Sequence, residues 1–306
     1  MLLVITLTET TNYRGQKRDF VVLKWLLGAF RLIHVLPVFC ITSIATLLAY
    51  YNLEPLGSLT PIILFILTVF FEAAFLGVQN DYLDRDLDRL YEKRKAIADG
   101  WIPVQAAFWL AVFCYLALTA CSIGLGYYAK IGYWVVLFVQ GVTLLGMIYN
   151  YYAKHTPFSI VPLIIAFPLI PVFVWLCFGG FTLRSLWFIP MIIFVAFSGH
   201  VANELPDYEK DKEFGKRNFT VFFGKKRAII LCWAAALLAQ LLVILAFIFY
   251  PLYLWAFIGI MGLNSLLIMM TIVILWKRRG SINVVIFDLI TAYLGINIVG
   301  LIVILR

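Results

Sequence analysis

LTPIILFILTVFFEAAFLGVQNDYLDRDLD, residues 59–88, joins a nearly uncharged run, broken only by Glu72, to a segment crowded with Asp81, Asp84, Asp86 and Asp88. An apolar helix of about 20 residues crosses the roughly 30 Å of hydrocarbon in a bilayer. The stretch therefore reads as a transmembrane helix that leaves the membrane at Asn80 and carries its acids into the aqueous boundary.

The rest of the chain follows the same pattern. Of 306 residues, 64% are hydrophobic and 13% charged, against about a quarter charged in a soluble domain. Spans are expected at Leu32–Tyr51, Leu59–Gln79, Pro103–Leu125, Ile131–Tyr152, Phe158–Gly180, Leu186–Ala202, Ala228–Tyr250, Leu252–Trp276 and Val284–Leu305. The fold class expected is an all-α membrane protein, with about nine transmembrane helices around a central cavity and an internal pseudo-repeat. It forms one polytopic domain over 1–306, comprising a basic arm at 1–31 and charged loops at 80–101 and 203–227. Arg14, Lys17, Arg18, Lys24 and Arg31 precede the first span with no small-residue cleavage site, which argues against a cleavable signal peptide.

The net charge is +8, and with alternating spans all of the 24 Lys and Arg except Lys130, Arg184 and Arg306 fall on one side. By the positive-inside rule that side, with the N-terminus and both acidic loops, is cytoplasmic. In a prokaryote the membrane would be the inner one. The same distribution makes the basicity topological and excludes a nucleic-acid partner. Cys40, Cys114, Cys121, Cys177 and Cys232 all lie in apolar segments, without zinc or disulfide spacing.

Of the 16 acidic residues, eight lie in two stretches of nine residues each. Asn80-Asp81-Tyr82-Leu83-Asp84-Arg85-Asp86-Leu87-Asp88 follows the second span, and Asn203-Glu204-Leu205-Pro206-Asp207-Tyr208-Glu209-Lys210-Asp211 the sixth. Without a gap both read Asn, acid, two residues, Asp, three residues, Asp, and the same offset carries Lys93-Arg94 onto Lys216-Arg217. With one insertion Gly100 matches Gly224. Such a duplication suits a membrane protein whose halves share one central site. Residues four apart lie on one helical face, so Asn80, Asp84 and Asp88 form one stripe and Asn203, Asp207 and Asp211 another. Two facing stripes of hard oxygens suit Mg²⁺, completed by water and phosphate oxygens. The alternative reading of each stripe is a solvated acidic loop balanced by nearby Arg and Lys.

At these residues the chain resembles the UbiA superfamily of intramembrane prenyltransferases, whose signatures are Asn-Asp-x-x-Asp-x-x-x-Asp after helix two and Asp-x-x-x-Asp after helix six. Glu92–Gly100 keeps the length of the family's Lys-Pro-x-Arg-Pro-x-x-x-Gly loop, with Lys95 at the Arg position and neither proline. The family's Tyr-x-x-x-Lys element is also altered, since Tyr149 and Tyr151 stand five and three residues before Lys154. The resemblance implies a prenyl diphosphate held by two Mg²⁺, one on Asn80 and Asp84 and the other on Asp207 and Asp211. Asp81 and Asp88 come next, as outer ligands or partners of basic residues.

Breaking an allylic carbon–oxygen bond leaves negative charge on diphosphate and cationic character on the prenyl chain. Metal ions and Lys or Arg stabilise the first, and aromatic faces in a dry pocket the second. Lys95, Lys154 and Arg31, with Asp81 and Asn203, are the expected diphosphate group; Tyr149, Tyr151 and Tyr152 are the expected prenyl-facing aromatics. Asp88, Glu72 and Asp288 are the candidate acid–base carboxylates, the last two because intramembrane carboxylates are functional candidates by default. The resemblance implies a prenyl diphosphate, membrane lipid and a lipophilic acceptor as partners; quinone-ring precursors, haem, chlorophyll-type pigments, glycerol phosphates and carotenoids all serve in the family, no residue here selects among them, and an aromatic quinone precursor is favoured as the commonest case. An intramembrane terpene cyclase is the alternative, and a transporter the reading from another class.

Overall fold

The computed structural model of the chain describes residues 24–52, 59–91, 93, 95–250, 254–277 and 284–305. The basic arm up to residue 23, and residues Glu92, Arg94, Leu252, Arg278, Arg279 and Arg306, lie outside the described residues. Every regular element described is helical, as lipid demands, because only a helix or a closed barrel satisfies all backbone groups without water. The helices are α1 (Lys24–Leu32), α2 (Val35–Asn52), α3 (Thr60–Leu90), α4 (Val104–Tyr128), α5 (Trp134–Tyr151), α6 (Val161–Ala166), α7 (Leu169–Phe178), α8 (Phe188–Glu204), α9 (Tyr208–Glu213), α10 (Phe219–Phe223), α11 (Lys225–Phe249), α12 (Leu254–Lys277) and α13 (Val284–Leu305). Among the described residues eight helices are long and apolar enough to span a membrane, or nine with the bent pair Lys24–Leu32 and Pro37–Tyr50.

Prolines and positive-φ residues set the breaks. The fifth expected span is divided into α6 and α7 at Phe167 and Pro168, where the proline ring removes a backbone donor and crowds the preceding turn. α1 and α2 part at His34, whose φ of 56° lies in the left-handed region and turns its side chain toward α3. Conversely, no break follows Gln79: α3 runs on to Leu90, so the first acidic stretch is a helical extension of the span.

α3 packs on α2, α4 and α5; α8 packs on α6, α11 and α13; and α13 reaches α2, which closes the circuit. Close approach in lipid depends on small residues, because tails are as apolar as the helices they surround. α11 shows this directly: buried Ala228, Cys232, Ala235, Ala236, Ala239, Val243 and Ala246 recur every three or four residues and form one narrow face. Where apolar packing is interrupted, polar groups pair between helices: Asn264 Nδ2 donates to Asn297 Oδ1 at 2.9 Å.

Candidate active site

The helical continuation of α3 puts Asn80 and Asp84 one turn apart on a common face. Both meet a single cation: Lys154 Nζ donates to Asp84 Oδ1 at 2.6 Å and to Asn80 Oδ1 at 3.1 Å. Lys154 sits in the short 3₁₀ turn Ala153–His155 that ends α5 and is only 5% exposed. Its placement depends on α5 lying tightly along α3. Asn150 Nδ2 pins the two helices by donating to Leu76 O at 3.0 Å and Gln79 Oε1 at 2.9 Å.

Asp81 and Asp88 sink into the protein, each 3% exposed, and bind the loop that follows. Lys95 Nζ lies 2.5 Å from Asp81 Oδ1 and 3.4 Å from Asp88 Oδ2. Burial disfavours that ammonium, but Asp81 and Asp88 outweigh burial and hold the Lys95 pKa above the ordinary lysine range. His34 Nε2 completes the Asp81 environment at 3.0 Å.

The second stretch repeats this plan. α8 ends at Glu204, a 3₁₀ turn covers Leu205–Asp207, and α9 carries Asp211. Asp211 is 1% exposed; its oxygens accept from Tyr91 Oη at 2.9 Å and Asn218 Nδ2 at 2.7 Å, and Lys216 lies 3.3 Å away. The sequence offset recurs in the backbone. Lys93 N donates to Asp88 O at 2.9 Å, and Lys216 N to Asp211 O at 2.8 Å. Tyr91 N donates to Leu87 O, and Phe214 N to Lys210 O. The equivalent rings of Tyr91 and Phe214 stack on each other, with centroids 5.2 Å apart, so the halves meet at corresponding residues. Gly100 and Gly224 both have positive φ, 68° and 81°.

The two stripes share one site. Lys93 Nζ lies 2.6 Å from Asp207 Oδ2 and 3.9 Å from Asp88 Oδ1; Tyr91 crosses to Asp211, and Lys210 Nζ crosses back to Tyr91 O. The charges of Asp211, Asp207 and Asp84 all bear on the Tyr91 hydroxyl, and together with burial, the largest influence, and the Asp211 hydrogen bond they keep that phenol protonated far above its usual range.

Other expected residues fall nearer or farther. Tyr149 stands edge-on to His200 with ring centroids 5.6 Å apart. Tyr151 and Tyr152 are 49% and 72% exposed and pair with each other. Arg31 stacks on Trp101 at 4.2 Å. Asn203 and Asp288 are exposed, and among the described residues neither joins the carboxylate cluster by a hydrogen bond or ion pair. Glu72, deeper in α3, accepts from Thr143 Oγ1 of α5 at 3.3 Å. Tyr91, Lys93, Lys216, Asn218 and His34 are parts of the cluster to which the motifs assign no role. The doubled Lys-Arg pairs are the available signal for Lys93 and Lys216, whereas nothing local marks Tyr91 or Asn218.

Among the described residues no three Asp, Glu, His or Cys side chains form a ready metal cage. Instead, hard oxygens gather in pairs about single cationic groups: Asn80 and Asp84 about Lys154, Asp88 and Asp207 about Lys93. The buried Asp88 Oδ2 accepts no hydrogen bond and meets Lys95 Nζ only as an ion pair at 3.4 Å. Mg²⁺ is commonly bound by one or two carboxylates plus water and phosphate oxygens rather than by an all-protein cage, so this donor set fits the ion.

Comparison with known proteins agrees with this architecture. A UbiA homologue from Archaeoglobus fulgidus, solved bound to GPP and Mg²⁺, superposes with a TM-score of 0.64 at 22% identity, covering 91% of this chain and 99% of its own. A UbiA homologue from Aeropyrum pernix K1 gives 0.66 at 20% identity, covering 87% and 96%. These likenesses concern the fold. In sequence, a Pyrococcus horikoshii protein named digeranylgeranylglyceryl phosphate synthase is 28% identical over 189 residues, 61% of this chain. A Pyrococcus abyssi protein of the same name is 26% identical. The chain spans 65% of the length of these curated relatives. The model of the UbiA prenyltransferase family matches residues 36–291, and the chain belongs to that family.

Proposed function

We propose that this chain transfers a prenyl group from a prenyl diphosphate to a lipophilic acceptor within the membrane, and that the reaction depends on Mg²⁺. The observation that carries the reading is the joining of two acidic helix ends, distant in sequence, through Lys93 and Tyr91. A cluster of carboxylates already ringed by lysines matches a ligand of mixed charge, an anionic diphosphate brought in with divalent cations. The A. fulgidus homologue bound to GPP and Mg²⁺ supports the same ligand pair.

Asn80 and Asp84 on one side, and Asp207 and Asp211 on the other, would hold the ions. Bound Mg²⁺ supplies Lewis-acid neutralisation of the diphosphate, which makes it a better leaving group. Lys154 and Lys93 are positioned to exchange their carboxylate partners for diphosphate oxygens and to stabilise charge as the carbon–oxygen bond breaks. Lys95, hydrogen-bonded to Asp81 and ion-paired with Asp88, braces the loop that carries Lys93. Tyr149 offers its ring to the allylic cation. Glu72 lies about 12 Å deeper than Asn80, by eight helical residues at about 1.5 Å each, on the side where an acceptor embedded in lipid would lose its proton.

No residue of the sequence selects the acceptor, and the aromatic expectation rests only on its being the commonest case in the family; the names of both Pyrococcus relatives favour a prenylated glyceryl phosphate. We take the latter as the first acceptor. The test is incubation of purified protein in lipid nanodiscs with Mg²⁺, geranylgeranyl diphosphate, and either geranylgeranylglyceryl phosphate or a hydroxybenzoate, read by mass spectrometry. A doubly prenylated glyceryl phosphate is the expected product. Coupling to the aromatic ring alone would restore the aromatic acceptor, a cyclic hydrocarbon formed without acceptor would mark a terpene cyclase, and no Mg²⁺-dependent release of diphosphate would overturn the proposal.

A further inference from the structure

Glu204 follows Asn203 in the second motif and is 7% exposed. A buried carboxylate is costly unless fully hydrogen-bonded, and this one is. Its Oε1 accepts from Ser159 Oγ at 2.8 Å, its Oε2 accepts from the backbone N–H of Thr220 at 3.1 Å, and His200 Nε2 lies 3.0 Å from Oε1. Ser159 Oγ in turn accepts from Phe219 N at 3.3 Å. Three segments therefore converge on Glu204: the end of α8, the turn that carries Ser159 just beyond Lys154, and the start of α10.

The start of α10 leads back to the ligand cluster. Asn218 caps α10 by accepting from Val221 N at 3.0 Å and Thr220 Oγ1 at 3.1 Å, and its amide nitrogen donates to Asp211 at 2.7 Å. Asn218, Thr220, Asp211 and Ser159 are each 1% exposed or less. The internal repeat gives this arrangement a counterpart. Glu204, Asp211 and Asn218 correspond at one offset to Asp81, Asp88 and Lys95, and Lys95 hydrogen-bonds Asp81 and forms an ion pair with Asp88 at 3.4 Å while His34 holds Asp81. In each half the acid after the motif's Asn is buried, held by a histidine, and linked through the following loop to the last Asp of the motif.

We propose that Glu204 is a positioning residue that acts through Thr220 and Asn218 to fix the Asp211 carboxylate, and through Ser159 to fix the turn bearing Lys154. This deepens the reading of Asp211 as part of an Mg²⁺-diphosphate site and rests on it. The test is binding of the hydrolysis-resistant S-thiolo analogue of geranylgeranyl diphosphate at graded Mg²⁺ concentrations, without acceptor, to the full chain in nanodiscs. Glu204→Ala and Asn218→Ala are each expected to weaken Mg²⁺-dependent binding about tenfold, a network hydrogen bond's worth. Because they act in series, the double variant should be no weaker than the poorer single one. Glu204→Gln, which keeps an acceptor for Thr220 and a polar contact for Ser159, should recover most of the affinity, whereas the acceptor KM should stay within about twofold throughout. If Glu204→Ala does not fold, Asn218→Ala and Glu204→Gln probe the same chain of contacts. Undiminished affinity in Asn218→Ala, additive single effects, or a shift confined to the acceptor KM would overturn the clamp alone. Absence of Mg²⁺-dependent binding by the wild-type chain would overturn the diphosphate reading, and the clamp with it.

Discussion

Carboxylates set inside a hydrocarbon boundary need a partner or a task, and Glu72 and Asp288 differ in what surrounds them. Glu72 faces α5 and takes one long hydrogen bond from Thr143, whose hydroxyl also bonds Val139 O at 2.9 Å. Asp288 is exposed on α13, outside the carboxylate cluster. Of the two, Glu72 is the one we propose to take the acceptor's proton. Glu72→Gln should slow transfer by about a hundredfold, the lower range for loss of a general base, with binding of the prenyl diphosphate unchanged. Single-turnover product formation measured beside equilibrium binding separates these effects. Asp288→Asn in the same assay decides its role, and unchanged turnover would remove Asp288 from the mechanism.

Among the helices, the seam between α3 and α5 decides where Lys154 sits. α5 comes close because Gly146 has no side chain: a Cβ there would meet Leu76 Cδ1 at 2.4 Å and Cδ2 at 2.7 Å. Gly146→Ala asks only that flexible Leu76 methyls swing aside. Gly146→Leu must push the helices apart, at an overpacking cost of about 1–3 kcal/mol, and Lys154, two turns farther along, would lose Asp84. The expected outcome is a lower melting temperature in detergent together with weaker diphosphate binding. A Gly146→Leu protein that melts lower yet binds as tightly would show that the seam does not position Lys154.

The two halves of the protein are joined at their charged ends by side chains that belong to one half and bond the other. Lys93 follows α3 and bonds Asp207 after α8; Tyr91 ends α3 and bonds Asp211 on α9. Lys93→Ala should cost diphosphate binding about 1.5–3 kcal/mol, the worth of a hydrogen bond to a charged group, and more than Lys225→Ala, whose pairing with Glu209 is exposed and local to the second half. Titration with the S-thiolo analogue measures both. Equal effects would mean that Lys93 acts only as another surface charge. The helical spans and the paired motifs are legible in the sequence, since both are properties of contiguous residues. The grouping of the halves at one site is implied by the offset, but the residues that make the junction are not.

Contiguous residues suffice to specify a helical membrane protein, the start and end of most spans, and two acidic stripes repeated at one offset, because hydropathy and four-residue spacing act along the local chain. Three-dimensional packing was needed to show that Lys154 takes Asn80 and Asp84, that His34 and Lys95 draw Asp81 inward, and that Ser159 and Thr220 close on Glu204. Those pairings follow from how closely helices approach and how they are rotated, which is set by small residues such as Gly146 and the alanine face of α11. A charge in such a chain settles its partner by spatial proximity under a strong penalty for burial without one, and that proximity is created by packing across dozens of residues.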